Sequence, residues 1–148
     1  VSAWTSGADT IRTLLSQGSL EQVAASTDMA NRLVEEAGKN LASAEAVQHL
    51  DPGGAVQLGY DAARKAATSL LAIQGLRPTS TGGHIAVQRA VAAQFGDDFK
   101  EFGRMRRRRH EQEYPNVDSP SATTDDAAEM IAFARHAIAT ARDALASG

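Results

Sequence analysis

Alanine occupies 29 of the 148 positions, and it recurs at helical spacing rather than in the alternation of a strand. Alanine is the best helix former, because it loses no side-chain freedom on entering a helix. Its small side chain also lets two helices approach closely. The clearest run is Ala127, Ile131, Ala134, Ile138, Ala141 and Leu145, stepping by 4, 3, 4, 3 and 4. That is a narrow apolar seam made for a long antiparallel neighbour. Alternating β-branched and aromatic residues occur nowhere, so no strand is expected. We expect an all-α fold, an antiparallel up-and-down bundle of four to five main helices preceded by short N-terminal helices.

Gly, Pro and Ser/Thr punctuation sets the segments. A short helix is expected at Ala8–Gln17, ended by Gly18, and a weak one at Leu20–Ala25. A long helix begins near Thr27, capped by Ser26 or Thr27, with Met29, Leu33, Ala37, Leu41 and Ala44 on one stripe. Asp51-Pro52-Gly53-Gly54 stops it. The next, Ala55–Gln74, carries Val56, Tyr60, Ala63, Ala67, Leu70 and Leu71 on one side, with Ala62, Ala66 and Ile73 widening that surface. It reads as the central helix. A shorter helix covers His84–Gln94. Another runs from Asp97-Asp98 to about Tyr114, where Pro115 blocks continuation. The last helix starts at Thr123 or Thr124. The expected division is an N-terminal helical extension over 1–26 and the bundle over 27–148.

One domain's length allows roughly two-thirds of the unfolded surface to be buried. A net charge of −3 excludes a chain made basic throughout for nucleic acid, and the absence of cysteine excludes thiolate metal sites and a cysteine nucleophile. No apolar run approaches the ~20 residues of a membrane span, and Val1–Leu20 lacks a leader pattern. A cytoplasmic protein with no membrane partner is the expectation. No Walker loop, Rossmann fingerprint, G-x-S-x-G or H-E-x-x-H occurs, so no metal or cofactor is expected.

Phe99–Tyr114 carries the chemistry. At about 100° per residue, Phe95, Phe99, Phe102 and Met105 share one face. That face continues into Arg106, Arg109, His110 and Glu113, while Arg104, Arg107 and Arg108 point elsewhere. The inward seam thus begins apolar and ends cationic. Arginine's planar fork suits phosphate, and histidine moves protons near neutrality. The alternative is a solvated basic helix end, with Arg106 or Arg109 paired to Glu113.

Taken in order, Gly59-Tyr60-Asp61-Ala62-Ala63-Arg64-Lys65, Gln74-Gly75-Leu76-Arg77, Gly82-Gly83-His84, and Arg106–Arg109 with Glu113-Tyr114-Pro115 resemble a HEPN domain (higher eukaryotes and prokaryotes nucleotide-binding). The similarity extends to bacterial toxin–antitoxin members and covers roughly Leu41–Leu145. It implies a homodimer whose Arg-rich helices share a cleft. Active members are metal-independent endoribonucleases in which an Arg, four to six residues and a His act on RNA. Others bind RNA or nucleotide without cutting, and many work beside a nucleotidyltransferase antitoxin. Two registers fit here. In one, Arg104-x5-His110 forms the pair. In the other, Arg109 is the motif Arg, and Tyr114 stands where the His belongs. The second matches the Pro115 stop and uses inward residues, but tyrosine is a poor base at neutral pH. Tyr114 is then also a position for nucleotidylation. The resemblance makes Arg104, Arg109, His110 and Tyr114 the candidate catalytic residues and Arg106, Arg107 and Asp61 the candidate phosphate contacts. A third reading gives the Arg cluster only a structural role between protomers.

Asp61 either pairs with Arg64 within its helix or faces the cleft and orients Arg109. His84 is read as a loop or cap residue, although the amides after Gly82-Gly83 can hold an anion. His136 is read as exposed. Trp4 is read as a cap over the core or a dimer surface. Asp125, Asp126 and Glu129 are read as a helix start.

Overall fold

The computed structural model describes residues 6–147, so Trp4 lies outside the described part. Six α-helices and one pair of short strands follow in the order α1 (Ala8–Ser16), β1 (Leu20–Gln22), α2 (Thr27–Val47), α3 (Pro52–Ala72), β2 (Leu76–Pro78), α4 (Gly83–Phe95), α5 (Phe102–Glu113) and α6 (Thr124–Ser147). The molecule is an all-α bundle with a small β appendage. No helix among the described residues is long and apolar enough to cross a membrane.

The helix ends follow local chemistry. Ser26 Oγ accepts from the Met29 amide at 3.0 Å and starts α2. Thr123 and Asp126 cap α6 reciprocally, each side chain accepting from the other's amide. The Asp51-Pro52-Gly53-Gly54 run both ends α2 and begins α3. Asp51 Oδ1 accepts from the Gly54 amide at 3.0 Å, and Pro52 takes the first turn, where no N–H is needed. α3 therefore starts three residues before the expected Ala55.

α3 is the central helix. Val56, Tyr60, Ala62, Ala63, Ala66, Ala67, Leu70 and Leu71 are all buried in one core. α2 packs along one side and α6 along another. At Gly59 α3 and α6 approach closely, since a Cβ there would lie 2.8 Å from Met130 Cγ. The α6 seam lies inward as expected, with Ala127, Ile131, Ala134, Ile138 and Ala141 buried. All four phenylalanines cluster where α4, α5 and α6 meet, with Phe99 and Phe102 6.0 Å apart and Phe102 5.6 Å from Phe133. Ile11, Leu14 and Leu20 join this same core.

Two expectations are corrected. Leu20–Gln22 is a strand, not the start of a weak helix, and it pairs antiparallel with Leu76–Pro78. Gly18 at φ +73° turns the chain into extended conformation, and Arg77 Nε donates to Glu21 across the pair at 2.7 Å. The partner strand lies far along the chain, so local pattern does not reveal it. The helix expected from Asp97 is also broken. Gly96–Phe99 forms a 3-10 turn after Gly96 at φ +57°, and α5 begins at Phe102. The break lets Phe99 and Phe102 both reach the core.

Candidate functional site

α5 leaves the aromatic cluster and carries its arginines along the end of the bundle. Its two flanks meet different neighbours. Toward α6, Arg104 Nε donates to Glu101 at 2.6 Å, and its Nη2 donates to Glu129 at 2.5 Å. Arg108 pairs with the same Glu129 and with Asp126 at 3.6 Å. Hydrogen bonds from Arg104 and Arg108 hold the Glu129 carboxyl down to about 2. Two cations face three carboxylates on this flank.

Toward α3 and α4 the surroundings change. Arg106 Nε donates to the neutral amide of Gln88 at 3.1 Å. Arg109 pairs with Glu113, and its guanidinium lies 5.8 Å from the centre of the Tyr60 ring. Arg109 Nε is buried with no hydrogen-bond partner, as is Arg64 Nε on α3. Arg106, Arg109 and His110 line an open cleft of about 260 Å³ together with Gly82, His84 and Ile85.

His84 reaches this cleft because of its loop. Thr79 is tied to the end of α1 and the start of β1, its Oγ1 donating to the Gly18 carbonyl at 2.6 Å and its amide to the Ser19 carbonyl at 3.1 Å. Gly82 packs so tightly there that a Cβ would fall 2.1 Å from the Ser19 oxygen, and Gly83 has φ +50°. Only glycine fits this pair of positions. The loop amides are used within the loop, Gly82 N–H donating to Thr79 Oγ1 at 3.1 Å and Gly83 N–H to the Thr79 carbonyl at 2.9 Å. Those two amides are therefore not free for an anion, and the loop also delivers the imidazole. His84 Nδ1 lies 3.3 Å from the hydroxyl of the fully buried Tyr60.

The expected site residues therefore separate. Arg106, Arg109 and His110 come together in the cleft. Arg104 lies on the other flank of α5, held by carboxylates. Arg107 is exposed and outside the lining. Tyr114, 64% exposed, lies against His110 with ring centres 4.9 Å apart and the planes tilted by 43°. Asp61 forms no ion pair with Arg64 or Arg109 among the described residues. It is half-buried and close enough for its charge to act on Tyr60 and His84. His136 is exposed, as expected, and sits 2.9 Å from Asp98.

Sequence reasoning underrated three residues. Tyr60 reads as core, Arg64 as an ion-pair partner and His84 as a cap. Their signal is that polar Asp61 and Arg64 flank Tyr60 on a helix whose other inward positions are mostly aliphatic. No group of His, Asp and Glu able to hold a metal forms among the described residues.

A sequence model of the HEPN domain matches residues 30–144, from the first turn of α2 to the last turns of α6. No curated protein and no solved structure matches the chain. The matched span covers most of the chain and contains every residue that lines the cleft, and the protein belongs to the HEPN domain family.

Proposed function

We propose that the protein binds RNA in the cleft of Arg106, Arg109 and His110 and cleaves it by transesterification. One observation carries this reading: of the three α5 arginines that no α6 carboxylate holds, Arg106 and Arg109 converge with two histidines on one open cleft. His110, at the solvent edge, takes the proton of a 2′-hydroxyl. The 2′-oxygen then bonds to the adjacent phosphorus. Arg109 and Arg106 stabilise the charge that develops on the phosphoryl oxygens. The bond from phosphorus to the 5′-oxygen breaks, the proton is delivered to that oxygen, and a 2′,3′-cyclic phosphate remains. The working pair thus combines Arg109 of one sequence register with His110 of the other. Arg104 is committed elsewhere. Tyr114, exposed beside His110, offers a face for a nucleobase. Ile85, 53% exposed at the cleft wall, and Tyr114 suit a second protomer closing over the site.

The test is cleavage of total RNA and of tRNA in EDTA by wild type and by His110→Ala. Product ending in 2′,3′-cyclic phosphate from wild type alone supports the reading. Cleavage that needs magnesium, or that survives the substitution, overturns it. A second reading, binding without cleavage, draws on the His110–Tyr114 ring contact. The described residues give His110 an aromatic neighbour but no carboxylate to orient its ring. Under that reading the same assay gives a salt-sensitive complex and no product.

A further inference from the structure

Tyr60 is fully buried, and the only hydrogen-bond partner of its hydroxyl among the described residues is His84 Nδ1, at 3.3 Å. Two arrangements of the hydrogens are open. If Nδ1–H donates to the tyrosine oxygen, the hydroxyl hydrogen has no acceptor in a buried place, which is costly. If the hydroxyl donates to Nδ1, both groups are satisfied and the imidazole hydrogen must sit on Nε2. Nε2 has no partner among the described residues and is not among the buried unpartnered atoms, while its ring forms part of the cleft wall. It is therefore open to the cleft.

The charges around the pair agree. Burial pushes the Tyr60 hydroxyl up to about 12, so it keeps its proton. Burial, then the Arg64 and Arg109 guanidinium groups, and more weakly Arg106, hold His84 below the ordinary histidine range, with Asp61 opposing them. Those four charged groups, from α3 and α5, are the ones that act on the ring.

We propose that Tyr60 locks His84 as the neutral Nε2–H tautomer, and that this N–H is an uncharged, directional donor to a phosphate oxygen bound between Arg106 and Arg109. That the phosphate belongs to RNA rests on the reading above; the tautomer and its donation to phosphate do not. The arrangement divides labour. The arginines supply attraction, His110 supplies a second imidazole at the cleft, and His84 supplies a directional hydrogen bond from a ring whose surroundings favour its neutral form.

The test uses the full chain labelled with 15N-histidine and long-range proton–nitrogen correlation at neutral pH. The expected spectrum shows His84 with Nε2 protonated and Nδ1 bare, and Tyr60→Phe loses that bias. Inorganic phosphate and then a short single-stranded RNA shift the His84 Nε2 signal. His84→Ala weakens RNA binding about tenfold, whereas His84→Gln, whose amide nitrogen stands near the place of Nε2, stays within about threefold. A charged ring or an Nδ1–H tautomer overturns the proposal. So does an Nε2–H ring that answers to neither phosphate nor RNA, or equal losses in His84→Gln and His84→Ala. A response to phosphate without RNA binding removes the RNA reading and leaves this one standing.

Discussion

On the flank of α5 that faces α6, Arg104 and Arg108 meet Glu101, Glu129 and Asp126. On the flank that faces α3 and α4, Arg106 and Arg109 meet an amide, an aromatic ring and a single carboxylate. The same residue type, on the same three turns of helix, is placed in two opposite electrostatic settings. On the first flank each guanidinium is already satisfied, and a phosphate arriving there would compete with three carboxylates. On the second, Arg109 meets one carboxylate, and Arg106 faces a group with no charge. An anion there gains charge-assisted hydrogen bonds and displaces less. The difference teaches that an arginine run is not one feature. Its meaning depends on which helix lies opposite each residue.

The largest expected effect tests that division directly. Arg109→Ala should lower RNA cleavage by roughly 100-fold or more, the scale of losing one charge-stabilising donor. Arg104→Ala should stay within about threefold, since it removes only surface ion pairs. Initial rates on one RNA substrate check both. Equal losses in the two variants would break the comparison.

A second prediction treats the α6 side as scaffold. In Gly59→Ala the new Cβ meets Met130 Cγ at 2.8 Å, and Met130 is fully buried and cannot swing aside freely. Overpacking costs about 1–3 kcal/mol. Removing a helix-interior glycine returns at most about 1 kcal/mol. The net expectation is destabilisation of about 1–2 kcal/mol, read from urea unfolding, with RNA affinity unchanged. A variant as stable as wild type would show that the α3–α6 approach is slack.

The third prediction concerns salt. Arg106→Ala should reduce the slope of log affinity against log salt by ~0.7 for single-stranded RNA, one phosphate contact fewer. Arg108→Ala should leave the slope as it is, because Arg108 is already neutralised. Affinities at three salt concentrations are enough to tell these apart.

Much of this division is legible in the sequence, because a helical wheel gives direction. Placing Arg106, Arg109 and His110 on the seam that continues from Phe102 and Met105, with Arg104 and Arg108 off it, needs only residue spacing. The alanine seam of α6 and the apolar span of α3 are legible for the same reason. What the wheel lacks is the identity of the opposite helix. Glu129 reads as part of a helix start, and nothing local shows that it neutralises two arginines of α5. His84 reads as a cap because its partner, Tyr60, lies 24 positions earlier. The β1–β2 pair is hidden likewise, its cross-strand contact joining residues 56 positions apart. The break at Gly96–Phe99 is local, but the acidic pair Asp97-Asp98 looks like an ordinary helix start. The positive φ of Gly96 decides against it.

The smallest expected effect sharpens the comparison from the neutralised side. Glu129 is where Arg104 and Arg108 converge, and their hydrogen bonds hold its carboxyl down to about 2, from 4.5 in the unfolded chain. A carboxylate whose folded value is depressed contributes stability that is fully present above its unfolded value. That contribution fades as pH falls through the folded value. The Glu129 share should therefore be intact above pH 4.5 and be lost progressively between pH 4.5 and about 2. The side chain is 43% exposed, so water screens the network, and the total stays under ~1 kcal/mol. Glu129→Gln should lower stability slightly at pH 7 and flatten the acid limb of the stability profile in that window, leaving the cleft's affinity for RNA within about twofold. The substitution also frees Arg104 and Arg108 of their shared partner. If RNA affinity then rises severalfold, the α6 flank is a second anion surface held in check by one carboxylate. If it does not, the two flanks differ by construction, because Arg104 and Arg108 still face Glu101 and Asp126.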